Sequence, residues 1–275
     1  TLRHAIGYPR LIVRMTTVAA PAGVQLSVDD DTIAGTITLS GTIALGRDTL
    51  LAIAYPQPRD AFLAALRTAL RARGVVIRAR PTTIPPPAAR PLFVISSRPL
   101  RDLMPMMEKP SQNQMAEILL KTLGLERGGA GRADSGAAVV GRQLAAWGAS
   151  DDGFVVRDGS GLSRYDLISP ETLVRVLAAM RRDSSFAVYY EALPIAGVDG
   201  TMRNRLKGTA AQGNVRAKTG FISNARSLSG YVTTADGRML VFTALCNNWT
   251  ARRSAIDAMQ DAIALRLATY SERTR

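Results

Sequence analysis

The sequence predicts an α+β protein, and three observations carry that prediction. Short β-branched runs separated by turn residues fill positions 10–53. Apolar residues at helical spacing recur between positions 99 and 180. The chain then closes on two strands joined by an Asp-Gly turn, followed by one more helix. Strands and helices thus come in blocks rather than as alternating βαβ units, which argues for antiparallel sheet with segregated helices.

Each element has a local reason. Residues 11–15 and 35–39 read as strands, and Asp29-Asp30-Asp31 as a solvated turn between them; three carboxylates in a row could also attract Ca²⁺. A helix over 58–73 places Phe62, Leu63, Leu66 and Leu70 on one stripe, and Gly74 stops it. Pro81, Pro85, Pro86, Pro87 and Pro91 mark a linker, dividing the chain into 1–85 and 86–275. Residues 92–95 form a strand candidate. Residues 99–104 read as a helix ending before Pro105, because proline disfavours helix at the residue preceding it. A helix over 111–124 carries Met115, Ile118, Leu119 and Leu123 on one face, and the Gly-rich stretch 127–136 is a loop. Helices follow over 137–148 and 170–180, the latter with Ser169 as N-cap and Glu171 in its first turn. Strands over 226–234 and 239–246 flank residues 235–238, and a last helix spans 251–268.

Composition narrows the function. The chain of 275 residues is 47% hydrophobic and 21% charged, so it can bury a core. It has no apolar run of roughly 18 residues, the length that reads as a spanning helix. No signal peptide is visible and Thr1 is not a natural start, so the sequence reads as a mature form or a fragment. The net charge is +13, but the basic residues are scattered and aromatics make up only 5%. Nucleic-acid binding therefore rests on charge alone, and an anionic wall or membrane surface suits the charge as well. Cys246 is the one cysteine and reads as a core thiol, which excludes disulfide scaffolding and Cys-rich zinc sites. His4 is the one histidine and lies in a terminal segment, so a Ser-His-Asp hydrolase is disfavoured. No metal or cofactor is implied.

Two short motifs carry chemistry. Ser111-Gln112-Asn113 is an S-x-N triplet at a helix start, where Ser111 could equally be an N-cap. Lys218-Thr219-Gly220 is a K-T-G triplet just before the terminal hairpin. Around them stand further blocks in order: residues 98–103, 107–117, 120–124, Asp-Gly-Ser-Gly-Leu-Ser-Arg at 158–164, Leu-Pro-Ile-Ala-Gly-Val-Asp-Gly-Thr at 193–201, 217–220 and 230–234. Together these blocks resemble the peptidase S13 group of D-Ala-D-Ala carboxypeptidases, the class C low-molecular-mass penicillin-binding proteins. The resemblance implies a penicillin-recognising serine transpeptidase-like domain over 86–275, an antiparallel sheet flanked by helices. Residues 1–85 would be the closing part of a β-rich accessory domain inserted into it.

The resemblance also implies roles. Ser111 would relay protons, Asn113 would hold the substrate backbone, and Lys218 would polarise the site. Thr219 would bind the substrate's terminal carboxylate, and Gly220 would leave room for peptide along an edge strand. Ser160 falls in the block near the cleft and is a candidate for substrate binding, although Gly159 and Gly161 could simply shape a turn there. Asp199 and Gly200 read as a turn with a helix cap. The implied partners are peptidoglycan stem peptides and β-lactams, in a periplasmic or extracytoplasmic setting, without nucleic acid. The implied reaction is carboxypeptidase or endopeptidase cleavage through an acyl-enzyme.

One part of the pattern is absent. The lysines are Lys109, Lys121, Lys207 and Lys218, and none stands three residues after a serine. There is thus no S-x-x-K, the motif that supplies the nucleophile and its base. The expectation is that this motif lies upstream of Thr1 and that these residues alone are inactive. The alternative is a non-catalytic cell-wall peptide-binding pseudoenzyme. Asp166, where the family often has Asn, and Pro110, just before Ser111, are smaller departures.

Overall fold

The computed structural model describes residues 9–19, 23–31, 33–49, 57–77, 90 and 93–272. The chain forms two compact units, Thr1–Leu92 and Phe93–Arg275. The proline-rich stretch lies outside the described residues apart from Arg90, and His4 lies outside them too.

In the first unit, β1 (Arg10–Val18) runs parallel to β3 (Thr36–Ala44), and β2 (Gln25–Asp31) runs antiparallel to β3 on its other side. Ile37 and Leu39, two residues apart on one face of the central strand, are buried. Asp29-Asp30-Asp31 belongs to β2 and is not the expected turn. Pairing with Thr38, Ile37 and Thr36 outweighs the poor strand propensity of aspartate. The turn comes after it, where Asp31 Oδ1 accepts the backbone N–H groups of Ile33 at 3.0 Å and Ala34 at 2.8 Å. Helix α1 (Pro58–Arg71) forms as expected, and Gly74 follows it at φ 79°. Its packed face differs from the expected stripe: Ala61 is buried, while Phe62 and Leu66 are exposed.

The second unit begins with exposed, irregular residues at 93–99, where a strand was expected. Helix α2 (Leu100–Glu108) runs straight through Pro105. The ring costs the helix one hydrogen bond, and packing of α2 on α6 (Phe186–Ala192) carries the helix past it. Helices α3 (Asn113–Gly128) and α4 (Ala133–Ala146) pack on each other across a loop much shorter than the 127–136 expected. The two-residue strands β4 (Phe154–Val155) and β5 (Leu167–Ile168) pair across an intervening loop. Helix α5 (Pro170–Arg182) starts as expected, with Ser169 Oγ accepting from the Thr172 N–H at 3.1 Å. A 3₁₀ turn covers Gly200–Met202.

The sheet of this unit has the order β6 (Arg216–Ile222), β7 (Ala225–Thr233), β8 (Met239–Asn247), all antiparallel, and α7 (Arg253–Ala268) closes the chain. The K-T-G triplet therefore lies within the edge strand and not ahead of the hairpin. Alternation along β7 separates two cores. Leu228 and Val232 join Ala264 and Ala268 of α7. Tyr231 points the other way into Leu177, Leu193, Phe186 and Tyr189, and its hydroxyl donates to the Leu177 carbonyl at 2.8 Å. Cys246, expected in the core, is half-buried in β8. Among the described residues no helix is long and apolar enough to cross a membrane.

Candidate active site

Lys218 sits in β6 opposite Ser229 of β7, so its side chain shares the face of the sheet from which Tyr231 projects. From there its ammonium donates to Ser111 Oγ at 2.7 Å and to the Thr219 carbonyl at 3.0 Å. Burial pulls the Lys218 ammonium below the ordinary lysine range, and the nearby Glu108 carboxylate offsets part of that fall. Glu108 responds in the opposite sense: burial raises its carboxyl above the ordinary range, and Lys218 partly opposes the rise. The site thus holds a desolvated lysine and a desolvated glutamate, each of which partly offsets the effect of burial on the other.

Ser111 reaches Lys218 because of an irregular joint between α2 and α3. The Gln112 N–H donates to the Met107 carbonyl at 2.8 Å and the Ser111 N–H to the Glu108 carbonyl at 3.3 Å, which closes α2. Ser111 itself has φ 59°, a left-handed conformation that costs a residue with a side chain about 1–2 kcal/mol. It is therefore not the helix cap. That place belongs to Gln112, whose side chain accepts from the Met115 N–H at 3.3 Å, and α3 starts two residues later than expected. Asn113 is the first helical residue and is exposed.

Thr219 donates from Oγ1 to Thr201 Oγ1 at 2.8 Å. Asp199, expected to cap the short turn that follows, caps nothing there. Its Oδ1 instead accepts from the Ile195 N–H at 2.9 Å, and its Oδ2 accepts from Lys109 Nζ at 2.7 Å. Lys109 Nζ also donates to the Leu193 carbonyl at 3.1 Å, and the Thr201 N–H donates to the Lys109 carbonyl at 3.0 Å. Gly200 has φ 55°, and a Cβ there would come within 2.6 Å of the Lys109 carbonyl oxygen, so only glycine lets the two segments touch.

The block at 158–164 hangs on carboxylates. Glu117, one turn along α3 from Asn113, accepts through Oε1 from the Gly159 N–H at 3.1 Å and the Ser160 N–H at 3.0 Å. Asp158 accepts from the Gly161 N–H at 2.6 Å and the Ser163 N–H at 2.7 Å. Asp166 Oδ1 accepts from the Arg157 N–H at 2.6 Å, while its Oδ2 is buried without a partner. Burial and the adjacent Asp158 carboxylate raise the Asp166 carboxyl. Among the described residues no group of three or more His, Cys, Asp or Glu side chains is placed to hold a metal ion.

Of the residues singled out from the sequence, Ser111, Lys218 and Thr219 form one hydrogen-bonded chain, with Gly220 next to them in β6. Asn113 opens α3 and the Ser160 N–H bonds to Glu117 of the same helix, and neither is bonded to that chain. Glu108, Lys109, Glu117, Asp199 and Thr201 were not foreseen as parts of the site. All five lie in the sequence blocks around the two motifs, but their partners are far away in the chain and no local pattern names them.

Comparison with known proteins gives the frame. The D-Ala-D-Ala carboxypeptidase 3 (S13) family matches residues 5–270. A D-alanyl-D-alanine carboxypeptidase of Actinomadura sp. (strain R39) is 35% identical over 280 residues, covering 98% of this chain and 52% of that protein. D-alanyl-D-alanine carboxypeptidase DacB of Haemophilus influenzae is 33% identical over 157 residues, 56% of this chain and 33% of that protein. The crystal structure of penicillin-binding protein 4 (dacB) from Haemophilus influenzae, in complex with a β-lactam, superposes with a TM-score of 0.77 at 25% identity, covering 96% of this chain and 63% of that one. The chain spans about half the length, or less, of these two curated relatives. With the family matched over nearly every residue, the chain belongs to the D-Ala-D-Ala carboxypeptidase 3 (S13) family and has its α+β, penicillin-recognising fold.

Proposed function

We propose that this chain supplies two of the three motifs of a serine-type D-Ala-D-Ala carboxypeptidase that acts on peptidoglycan stem peptides through an acyl-enzyme. The observation that carries the reading is the 2.7 Å bond from Lys218 Nζ to Ser111 Oγ. That bond occupies a lone pair of the serine oxygen, so the one hydroxyl proton points elsewhere and is available for relay. The lysine supplies positive charge where an anion develops or a carboxylate docks. Thr219 offers a hydroxyl to the terminal carboxylate, Gly220 keeps the strand edge clear, Asn113 holds the peptide backbone, and Ser160 lines the approach.

The acylated serine and its lysine base come, in this reading, from sequence outside these 275 residues, since the chain holds no S-x-x-K. Substrates are peptides ending in D-Ala-D-Ala, and cross-linked stems where the cleft admits them. β-Lactams imitate that terminus and stall as acyl-enzymes. The working environment is extracytoplasmic, and the net charge of +13 favours contact with an anionic wall or membrane surface.

The missing motif itself favours a second reading, in which the fold binds wall peptides without cleaving them. Intact mass after incubation with benzylpenicillin separates the two. A penicilloyl adduct on the complete polypeptide, absent from the 275-residue chain, supports the enzyme. No adduct on either, together with measurable binding of a D-Ala-D-Ala peptide, supports the binding module. An adduct on the 275-residue chain overturns the assignment of the nucleophile.

A further inference from the structure

Two residues that the proposed chemistry does not use tie its parts together. Lys109 stands two residues before Ser111, across Pro110, whose ring fixes one of the two soft backbone angles between them. Asp199 stands two residues before Thr201, across Gly200 in its left-handed conformation. The two side chains form a 2.7 Å ion pair, and Lys109 also holds the Leu193 carbonyl. Behind the ion pair the two backbones are bonded directly, Thr201 N–H to Lys109 carbonyl. Beyond it, Thr201 receives the hydroxyl of Thr219. One end of this brace therefore sets the position of the Ser111 joint, and the other sets the position of Thr219.

Magnitudes separate a structural role from a geometric one. The side chains are 24% and 34% exposed, so this is a partly screened pair. Pairs near the surface contribute about 0–1 kcal/mol to stability, too little for the fold to depend on them. A displacement of about 1 Å at a reacting group, by contrast, can cost about 100-fold in rate.

We propose that the Lys109–Asp199 pair is a brace that sets the spacing between Ser111 and Thr219, which makes Lys109 a positioning residue for acyl transfer. This rests on the reading of the cleft as penicillin-reactive. Neither side chain touches Ser111, Lys218 or Thr219 through a hydrogen bond of its own. Its effect therefore reaches the ligand only through the placing of Ser111 and Thr219, and falls mainly on the rate of bond formation, with a smaller effect through Thr219 on recognition.

The test is benzylpenicillin acylation of the complete polypeptide, with the encounter constant, the acylation rate and the fraction labelled at completion measured separately. Lys109→Met and Asp199→Asn are each expected to slow acylation about 100-fold. The encounter constant should stay within about threefold, and the labelled fraction should not change. Lys109→Arg, which keeps the charge, should recover most of the rate. A Lys109→Met protein that acylates at the parent rate overturns the brace, as does one that loses only labelled fraction, the mark of a purely structural role. A parent protein that never labels overturns the reading of the cleft and the brace with it.

Discussion

Lys218 and Ser111 are 107 positions apart in the chain and 2.7 Å apart in space, one on an edge strand and the other in a left-handed joint between two helices. A half-buried ammonium held by this hydroxyl and the Thr219 carbonyl is costly to the fold. Replacing Lys218 with Ala in the complete polypeptide should lower penicillin acylation by about 100- to 1,000-fold, the loss typical of removing one preorganised electrostatic group. Lys218→Met, which fills the same volume without charge, should lose acylation equally, and only together with Glu108→Gln, which removes the carboxylate left without its counter-charge, should it raise the melting temperature, by about 2–4 °C. Calorimetry on the 275-residue chain checks the second half.

Burial and, against it, Glu108 act on the pH at which Lys218 gives up its proton. Burial lowers the lysine and the Glu108 carboxylate holds it up. Glu108→Gln removes only the support, so the alkaline limb of the acylation profile should move to lower pH. The sign for stability follows from the same shifts. A lysine depressed in the folded state makes the fold gain stability as pH rises from its folded value towards the ordinary 10.5. A glutamate raised in the folded state makes the fold lose stability as pH climbs from 4.5 through its folded value. The Glu108→Gln protein should lack the second trend, which acid-range thermal melts will show.

Asp166 keeps an oxygen buried without a partner, beside another carboxylate. Asn keeps the acceptor for the Arg157 N–H and brings a donor for the Asp158 side. Asp166→Asn should therefore stabilise the 275-residue chain by about 1 kcal/mol at neutral pH, the size of one unsatisfied buried group made good. Because the Asp166 carboxyl is raised, its folded form carries its proton to higher pH than the unfolded form does. The advantage of Asn should fade as pH falls below that range. Urea unfolding at two pH values decides it.

Two glycines in the sheet should respond differently to the same change. A Cβ on Gly220 would land on the hydroxyl of Ser227, whereas a Cβ on Gly230 would land on the Arg216 carbonyl and within 2.6 Å of the Ala217 Cα. Gly220→Ala should destabilise the 275-residue chain by about 1–3 kcal/mol, as overpacking does, and Ser227→Ala should restore most of that. Gly230→Ala pushes β6 off β7, so no side-chain truncation should rescue it. Melting temperatures of the single and double variants give the answer.

What the sequence made legible was local. Helix α5 could be read because Ser169, Pro170 and Glu171 together write a helix start. The β7–β8 hairpin could be read because Asp236-Gly237 joins two β-branched runs. Strand β6 was missed because Arg-Ala-Lys-Thr-Gly has little strand propensity, and it is a strand only through its pairing with β7. Helix α2 was cut short because Pro105 is a strong local stop that packing on α6 overrides. Helix α6 was missed because Val188, Tyr189 and Tyr190 speak for strand, while packing against Tyr231 holds them helical.

In the site, the motif triplets named Ser111, Lys218 and Thr219, and the structure joins them. Lys109 and Asp199 were beyond reach because they are 90 positions apart and each has a bland local reading. The alternative of Ser111 as a helix cap stayed open because a left-handed serine leaves no trace in composition.

The edge strand β6 carries one more consequence. Its inner side is paired with β7, while among the described residues the outer side is bridged only at Arg216, by Ile195. From Lys218 onward no strand pairs with that side, and apart from the Thr219 carbonyl, which accepts from Lys218 Nζ, its backbone groups are offered to an arriving extended chain. At high protein concentration that would be another copy of the same strand, so the feature that would admit a peptide should also favour self-association. A short D-Ala-D-Ala peptide in the storage buffer would then act as a solubiliser, keeping the molecules apart by occupying the seam through which they would otherwise clump.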